Sequence, residues 1–280
     1  MDFPLLAADR VLRAALEEDV GPGDVTTQAV VAAGSRARGV LIAKEPLRLA
    51  GLAGFLRTFE LLGGKDLRWQ LFCREGDDAA AGTRVLEVAG DARVLLTGER
   101  TALNLLQRLS GIATLTARWA RHLEGTRARL VDTRKTTPGL RALEKYAVRV
   151  GGGANHRAGL YDGVLLKENH LRAGGGIAPG VAAARAHVPH TLKIEVEVTS
   201  LDELGQALGA GADAVLLDNM SLGDMAEAVR RTAGRALLEA SGGITEDRLR
   251  AVAETGVDLI SAGALTHSAR AVDLSFLFEV

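Results

Sequence analysis

The chain has very little cysteine, because Cys73 is the only one among its 280 residues. A single thiol excludes an intrachain disulfide and any metal site built from several cysteines, and it is typical of a reducing compartment. Net charge is almost absent too, since 34 Lys and Arg stand against 35 Asp and Glu. Without a strong overall field, the protein is not expected to bind nucleic acid or an anionic membrane. We therefore expect a cytoplasmic protein that recognises its ligands through local groups.

Long hydrophobic runs and a secretion signal are also missing. No apolar stretch reaches the roughly 18 residues of a membrane helix, so we expect no membrane span. The N-terminus carries Asp2 and Asp9 and lacks a basic start followed by an apolar run, so it does not resemble a signal peptide. Aromatic residues make up only 4% of the chain, and Ala, Leu and Val dominate its apolar part. This composition favours packed helices and buried parallel strands.

Two regions of the chain show different patterns. Residues 1–103 combine one helix, predicted at 7–18, with a Gly-Pro-Gly turn and short strand candidates at 39–43, 67–73 and 85–88. This mixture predicts an α+β domain. From Thr101 to about Leu123, apolar residues recur at helical spacing and predict a long amphipathic helix.

The second half of the chain repeats a strand–helix unit. Four strand candidates have middles about 21 or 22 residues apart, and they lie at 193–198, 214–218, 236–240 and 258–262. Three similar segments raise the count to six or seven: 128–132, 147–150 and 163–167. This alternation is typical of a parallel α/β array, which a doubly wound sheet and a barrel both satisfy. Polar residues just past nearly every strand favour an open, incomplete parallel α/β barrel.

The predicted strand ends carry charged, polar or glycine residues, where barrel enzymes build their active sites. Seven Lys and Arg against three Asp and Glu lie between residues 134 and 170. Three of these cations repeat at helical spacing and are interpreted as a solvated helix face: Arg141, Lys145 and Arg149. The other four lie at strand ends or in a glycine-rich loop and are predicted to bind carboxylates or phosphates: Arg134, Lys135, Arg157 and Lys167.

The last two strand ends, Ser-Gly-Gly at 241–243 and Ser-Ala-Gly at 261–263, predict a phosphate site, because small residues let backbone N–H groups approach an anion. Two acids, Glu197 and Asp218, lie among the cations. They fit magnesium bound with a phosphorylated substrate, sugar hydroxyl groups, or a structural salt bridge with Lys135 or Lys167. Glu195 points the same way along its strand. Together these residues predict a sugar-phosphate enzyme.

The strand-end motifs resemble the quinolinate phosphoribosyltransferases. The main similarity is the run DTRKTTPGLRALEKYAVRVGGGANHRAGLYDGVLLKENHL at 132–171, and further similar segments such as EDVGPGDVTT and LEASGGI cover most of the chain. The resemblance implies a transfer of phosphoribosyl from phosphoribosyl pyrophosphate to quinolinate, with loss of CO2, in NAD biosynthesis. It also implies two domains. Residues 1–103, joined by the tail 270–280, form the α+β domain, and residues 104–269 form the incomplete barrel.

The resemblance further implies a role for each site residue. The quinolinate pocket consists of Thr133, Arg134, His156, Arg157 and Lys167, with Arg100 of the partner subunit in a homodimer; a hexamer stays open. The phosphoribosyl pyrophosphate site consists of Lys135, Glu197, Asp218, Ser241, Gly242, Gly243, Ser261, Ala262, Gly263 and His267. Glu197 and Asp218 are the implied ligands of Mg²⁺, directly or through water.

Four alternatives follow from the same residues. A paralogue of this fold associated with molybdenum transport would act on another acceptor. A nicotinate-type transferase would need to bind only one carboxylate of its acceptor. A barrel aldolase would use Lys167 as a Schiff base, which requires an apolar pocket. A binding module without activity would leave the convergence of so many polar strand ends unexplained.

Overall fold

The protein is described by a computed structural model that covers residues 2–279 and divides into two compact units. The first unit comprises Met1–Ala117, Thr136–Gly152 and Leu265–Val280, and the second comprises Arg118–Lys135 and Gly153–Ala264. The domain boundary expected after residue 103 falls inside a single long helix, Ala92–Arg121.

The helices and strands follow one another in chain order as α1 (Leu5–Val20), α2 (Val25–Val30), β1 (Arg36–Ala43), β2 (Leu47–Arg48), α3 (Leu52–Leu61), β3 (Arg68–Leu71), β4 (Asp78–Ala79), β5 (Arg84–Asp91), α4 (Ala92–Arg121), β6 (Arg129–Val131), α5 (Arg141–Val150), β7 (Val164–Leu166), α6 (Glu168–Ala173), α7 (Ile177–His187), β8 (Ile194–Val198), α8 (Leu201–Gly209), β9 (Ala214–Asp218), α9 (Leu222–Thr232), β10 (Leu237–Ser241), α10 (Leu249–Glu254), β11 (Leu259–Ser261), α11 (Ala264–His267) and β12 (Leu274–Glu279). A short 3₁₀ turn, Glu246–Arg248, precedes α10. None of the helices within residues 2–279 is both long and apolar enough to cross a bilayer.

The first unit is built on an antiparallel sheet with the strand order β12-β1-β5-β3. The ring of Phe276 on β12 packs against Phe55 and Phe59 of α3, with centroid distances of 5.5 and 5.9 Å. Gly39 of β1 lies directly against this ring, since a Cβ at Gly39 would be 1.9 Å from Cζ of Phe276. The last strand is therefore an integral part of the core of the first unit.

A fully buried carboxylate organises the start of α5 in the same unit. One oxygen of Glu144 accepts hydrogen bonds from Nε and Nη2 of Arg108, at 3.2 and 2.8 Å. The other oxygen accepts a bond from the backbone N–H of Thr137 at 3.0 Å. Because the Glu144 side chain is wholly excluded from solvent, these donors are needed to offset the cost of burying its charge.

The second unit contains a parallel sheet of six strands in the order β6-β11-β10-β9-β8-β7. Strands β8, β9 and β10 are almost entirely buried, as expected for parallel strands covered on both faces. Ser200 caps α8 by accepting a hydrogen bond from the N–H of Glu203, and Ser221 caps α9 in the same way. The expected open, incomplete α/β barrel is confirmed.

The strand expected at 147–150 is wrong. These residues are the last turn of α5 in the first unit, and Leu143, Ala147 and Val148 are buried on that helix. The short segment Ala-Val-Arg-Val cannot distinguish a strand from the buried face of a helix, which explains the error. In the sheet, Ala154 instead forms an isolated parallel bridge with Val131 at the outer edge of β6. The barrel therefore has six strands.

Candidate active site

The carboxyl ends of the six parallel strands surround a cavity of about 530 Å³ in the second unit. Twelve of the residues predicted from the sequence line this cavity: Thr133, Arg134, Lys135, His156, Arg157, Lys167, Glu197, Asp218, Ser241, Gly242, Gly243 and Ser261. They come from six strand ends and one loop, yet they converge because parallel strands finish at the same edge of a sheet.

Four predicted residues lie elsewhere. Ala262 is buried directly after β11, and Gly263 follows it. Arg100, on α4, and His267, at the end of α11, belong to the first unit, and both are exposed. The Nδ1 atom of His267 lies 2.6 Å from the hydroxyl of Ser268. The roles of these four residues stay predictions.

Two neighbouring guanidinium groups form the cationic wall of the cavity. Nη1 of Arg157 donates a hydrogen bond to the carbonyl of Gly163 at 3.0 Å, which ties the loop before β7 to this side chain. Nε of Arg157 is buried and has no hydrogen-bond partner within residues 2–279. Burial and the nearby charge of Arg134 lower the pKa of the Arg157 guanidinium. This wall thus offers closely spaced positive charge for an anionic ligand.

Two carboxylates face each other across the strands β8 and β9. An oxygen of Glu197 lies 3.7 Å from Nζ of Lys167, so the salt bridge considered from the sequence is present. Burial raises the pKa of Glu197, Lys167 opposes that rise, and the charge of Asp218 adds to it. Repulsion between two carboxylates is relieved by a bound cation, and their hard oxygen atoms fit Mg²⁺.

The Ser-Gly-Gly turn after β10 is shaped for close approach of a ligand to the backbone. Gly242 has φ +87° and Gly243 has φ +56°, which is backbone geometry that favours glycine. A Cβ at Gly242 would be 2.4 Å from Oδ1 of Asn219, so the two turns after β9 and β10 leave room only for hydrogen. The backbone of Asn219 itself is left-handed, with φ +54°.

Asp132 fixes the glycine-rich loop by hydrogen bonds, although the sequence analysis named it only as part of a motif. Asp132 is fully buried after β6. Its carboxylate accepts a hydrogen bond from the backbone N–H of His156 at 2.9 Å and another from the Asn155 side chain at 2.5 Å. These contacts fix the position from which His156 and Arg157 enter the cavity.

A buried cluster of His156, Glu195 and Glu239 lies at the floor of the cavity. Nε2 of His156 is 3.1 Å from Glu195 and 3.7 Å from Glu239, and its Nδ1 accepts a hydrogen bond from the N–H of Arg157 at 2.7 Å. Sequence reasoning missed Glu239, although an acid in the middle of an apolar strand, in LLEAS, was a usable signal.

These features define a class of protein, an α/β-barrel enzyme whose cavity is lined by cations, two acids and a Ser-Gly-Gly turn. Residues 24–110 match the family described as quinolinate phosphoribosyl transferase, N-terminal domain, and residues 112–277 match its C-terminal domain. The chain therefore belongs to the quinolinate phosphoribosyl transferase family.

Relatives of full length support this assignment. The chain is 45% identical over 273 residues to the carboxylating nicotinate-nucleotide pyrophosphorylase of Mycobacterium leprae, with 96% of each chain covered. The crystal structure of NadC from Streptococcus pyogenes superposes with a TM-score of 0.96 at 43% identity, over 100% of this chain and 99% of that one. The nicotinate-nucleotide pyrophosphorylase of Francisella tularensis gives a TM-score of 0.92 at 40% identity, over 99% and 98%.

Proposed function

We infer that the chain transfers the phosphoribosyl group of phosphoribosyl pyrophosphate to quinolinate, and that nicotinate mononucleotide, pyrophosphate and CO2 are the products, in NAD biosynthesis. One observation carries this conclusion. A single cavity combines four cations with a paired-acid site and a Ser-Gly-Gly turn, in a chain that matches carboxylating nicotinate-nucleotide pyrophosphorylases over nearly its full length.

The cationic wall accounts for quinolinate. This substrate carries two carboxylates on one ring, and Arg134, Arg157 and Lys167 supply charge-assisted donors among the residues that line the cavity. Thr133 adds a short polar side chain next to Arg134. A nicotinate-type transferase would need fewer cations, because its acceptor has a single carboxylate. The number of cations therefore favours a dicarboxylate acceptor.

A second group of the lining residues accounts for phosphoribosyl pyrophosphate. We assign the 5-phosphate to the turns at Ser241, Gly242 and Gly243 and at 261–263, with His267 near it, and the pyrophosphate to Lys135. Glu197 and Asp218 would hold Mg²⁺ or the ribose hydroxyl groups. When bound, Mg²⁺ would offset negative charge on the pyrophosphate.

The transfer itself needs orientation more than acid–base chemistry. The quinolinate nitrogen already has a lone pair, so it attacks the anomeric carbon of the ribose without a general base while pyrophosphate departs. Lys135 stabilises the charge that develops on the leaving group, and the acids favour positive charge at the sugar. Binding both substrates in line lowers the barrier by removing translational freedom. The ring nitrogen, now cationic, accepts the electron pair when the adjacent carboxylate leaves as CO2.

We further propose a cytoplasmic homodimer in which Arg100 of the partner subunit completes the quinolinate pocket. The exposure of Arg100 on α4 supports this, because the side chain is accessible to a second subunit. Sedimentation velocity of the purified protein distinguishes this dimer from a hexamer.

The aldolase alternative is disfavoured by the position of Lys167. Its side chain is 51% exposed and lies beside the Glu197 carboxylate, whereas a Schiff-base lysine requires an apolar pocket. The molybdenum-associated paralogue is not favoured, because the relatives reported above are carboxylating pyrophosphorylases.

A CO2-release assay tests the proposed function. Purified protein is mixed with carboxyl-labelled quinolinate, phosphoribosyl pyrophosphate and Mg²⁺, and each component is omitted in turn. We expect labelled CO2 and nicotinate mononucleotide only when all three are present. Absence of release from folded, dimeric protein would contradict the assignment and would make another acceptor the next question.

A further inference from the structure

Glu239 is a buried acid at the floor of the cavity that the reaction described above does not use. It lies in the middle of β10, its side chain is 2% exposed, and it lines the cavity. Its Oε1 atom is buried and has no hydrogen-bond partner within the described part of the chain. Buried carboxyl oxygens are nearly always paired, so an unpaired one facing a substrate cavity points to a bound ligand as its partner.

The hydrogen bonds of His156 indicate which of its two ring nitrogens carries a proton. Its Nδ1 accepts the N–H of Arg157 at 2.7 Å and therefore carries no proton. The ring proton is then on Nε2, which donates to Glu195 at 3.1 Å and lies too far from Glu239, at 3.7 Å, for a second bond. In this arrangement Nε2 of His156 donates to Glu195 and makes no hydrogen bond to Glu239.

The surroundings of Glu239 favour its acid form on balance. The charges of Glu195 on β8 and Asp132 after β6 raise its pKa, whereas His156 and the hydrogen bond from Ser261 lower it. The register partners of Glu239 on β9 and β11 are leucines. The hydroxyl of Ser261 provides one hydrogen bond. Burial first, and then the charge of Glu195, raise the pKa of Glu239 to about 7. Anionic substrates would add to this effect, because like charges favour the neutral form.

We propose that Glu239 is a catalytic acid whose carboxyl proton replaces the carboxylate that quinolinate loses at C2. The proposal rests on the decarboxylating transfer inferred above. The bond between C2 and the carboxylate carbon breaks, CO2 leaves, and the electron pair stays on C2 beside the cationic ring nitrogen. A C–H bond then forms with the proton of Glu239, which becomes a carboxylate and regains a proton from water after the product leaves. The step consumes one proton and requires neither an oxidant nor a reductant.

Single-turnover kinetics of Glu239→Gln test the proposal. Glutamine has nearly the same shape but no acidic proton. We expect pyrophosphate release to stay within about threefold of the unmodified enzyme, while nicotinate mononucleotide formation slows by roughly 100-fold or more. Quinolinate mononucleotide, the undecarboxylated intermediate, should then be detected by mass spectrometry. Glu254→Gln, which removes an exposed acid of α10, serves as the matched control and should change neither rate.

Two results would overturn the proposal. One is product formation by Glu239→Gln within about threefold of the unmodified enzyme, since another group would then supply the proton. The other is an equal loss of pyrophosphate release and product together with loss of quinolinate binding, which would indicate a structural role. If the variant does not fold, the pH profiles of Glu239→Asp and of the unmodified enzyme are measured instead. Product formation should fall as the pH rises past the pKa of Glu239 while pyrophosphate release does not, and a flat profile from about pH 6 to about pH 9 would refute the idea.

The test is separate from the test of the function. Absence of CO2 release from the unmodified enzyme would refute the proposed function before any variant is compared. The role of Glu239 is judged only by the ratio of the two product rates in an enzyme that is active.

Discussion

Replacing Arg134 by alanine should weaken quinolinate binding and leave phosphoribosyl pyrophosphate binding almost unchanged. A charge-assisted hydrogen bond contributes about 1.5–3 kcal/mol. Arg134 is exposed at the cavity wall, which places it at the low end of that range. Its charge also opposes that of Arg157, as the lowered pKa of Arg157 shows, so removing it relieves some repulsion. We therefore expect a loss of about 1.5 kcal/mol, or roughly a tenfold rise in Kd.

Arg157→Ala provides the comparison for this value. Arg157 is more buried and also bonds to the carbonyl of Gly163, so its loss should cost about 3 kcal/mol, roughly 100-fold in Kd. The double variant should lose more quinolinate binding free energy than the two single variants together. Each single variant gains from relief of the repulsion between Arg134 and Arg157, and the double variant gains from that relief only once.

Isothermal titration calorimetry with each substrate separately measures these losses. Arg149→Ala, which removes an exposed cation of α5 interpreted as solvated, is the control and should change neither affinity. Equal losses of quinolinate and phosphoribosyl pyrophosphate binding in Arg134→Ala would refute the assignment of this wall to the dicarboxylate.

Three further predictions concern the backbone and the buried acids. Gly242→Ala should lower phosphoribosyl pyrophosphate affinity by about tenfold or more in a binding titration, because the methyl group meets Asn219 and φ is positive. Glu144→Gln should lower the free energy of unfolding in urea by about 3 kcal/mol, because its Arg partner loses a buried counter-charge. Glu239→Gln should have a higher free energy of unfolding in urea than the unmodified protein at pH 8. This advantage should exceed the one at pH 5 by up to about 3 kcal/mol.

The sign of the last prediction follows from the raised pKa. At a pH below the ordinary carboxyl value of 4.5, the folded and unfolded states both carry the proton on Glu239. As the pH rises from there to about 7, the unfolded chain releases that proton more readily, so the native state loses stability. Glutamine cannot ionise and escapes this loss. An identical pH dependence in both proteins would show that Glu239 ionises normally.

Two controls separate the causes in the other predictions. Gly234 also has a positive φ, at +77°, but open space surrounds it. Gly234→Ala should therefore cost about 1 kcal/mol of stability without weakening substrate binding. Glu254→Gln removes an exposed ion pair and should change stability by less than about 0.5 kcal/mol. If Gly234→Ala also lowers affinity, strain rather than contact with Asn219 explains Gly242.

Much of the barrel and of its active site could be predicted from the sequence. The apolar strand segments recur at a regular spacing, and the polar residues that follow them converge because parallel strands end at one edge. This was enough to predict twelve of the residues that line the cavity, although Glu239 was missed. The strand predicted at 147–150 is wrong, because a segment of four residues with three apolar side chains fits a helix face as well as a strand.

Periodicity, residue type and motif resemblance are local properties of a chain, so the sequence by itself determined the parallel strands, the strand-end cations and the family. Only the tertiary structure decided that Glu195 reaches His156 while Glu197, two residues later, reaches Lys167. It also decided that Glu239 is buried beside them and that, among residues 2–279, one of its oxygens has no hydrogen-bond donor. Burial and hydrogen bonding depend on which residues of distant strands face each other, and that information lies in the packing of the sheet rather than in any single segment.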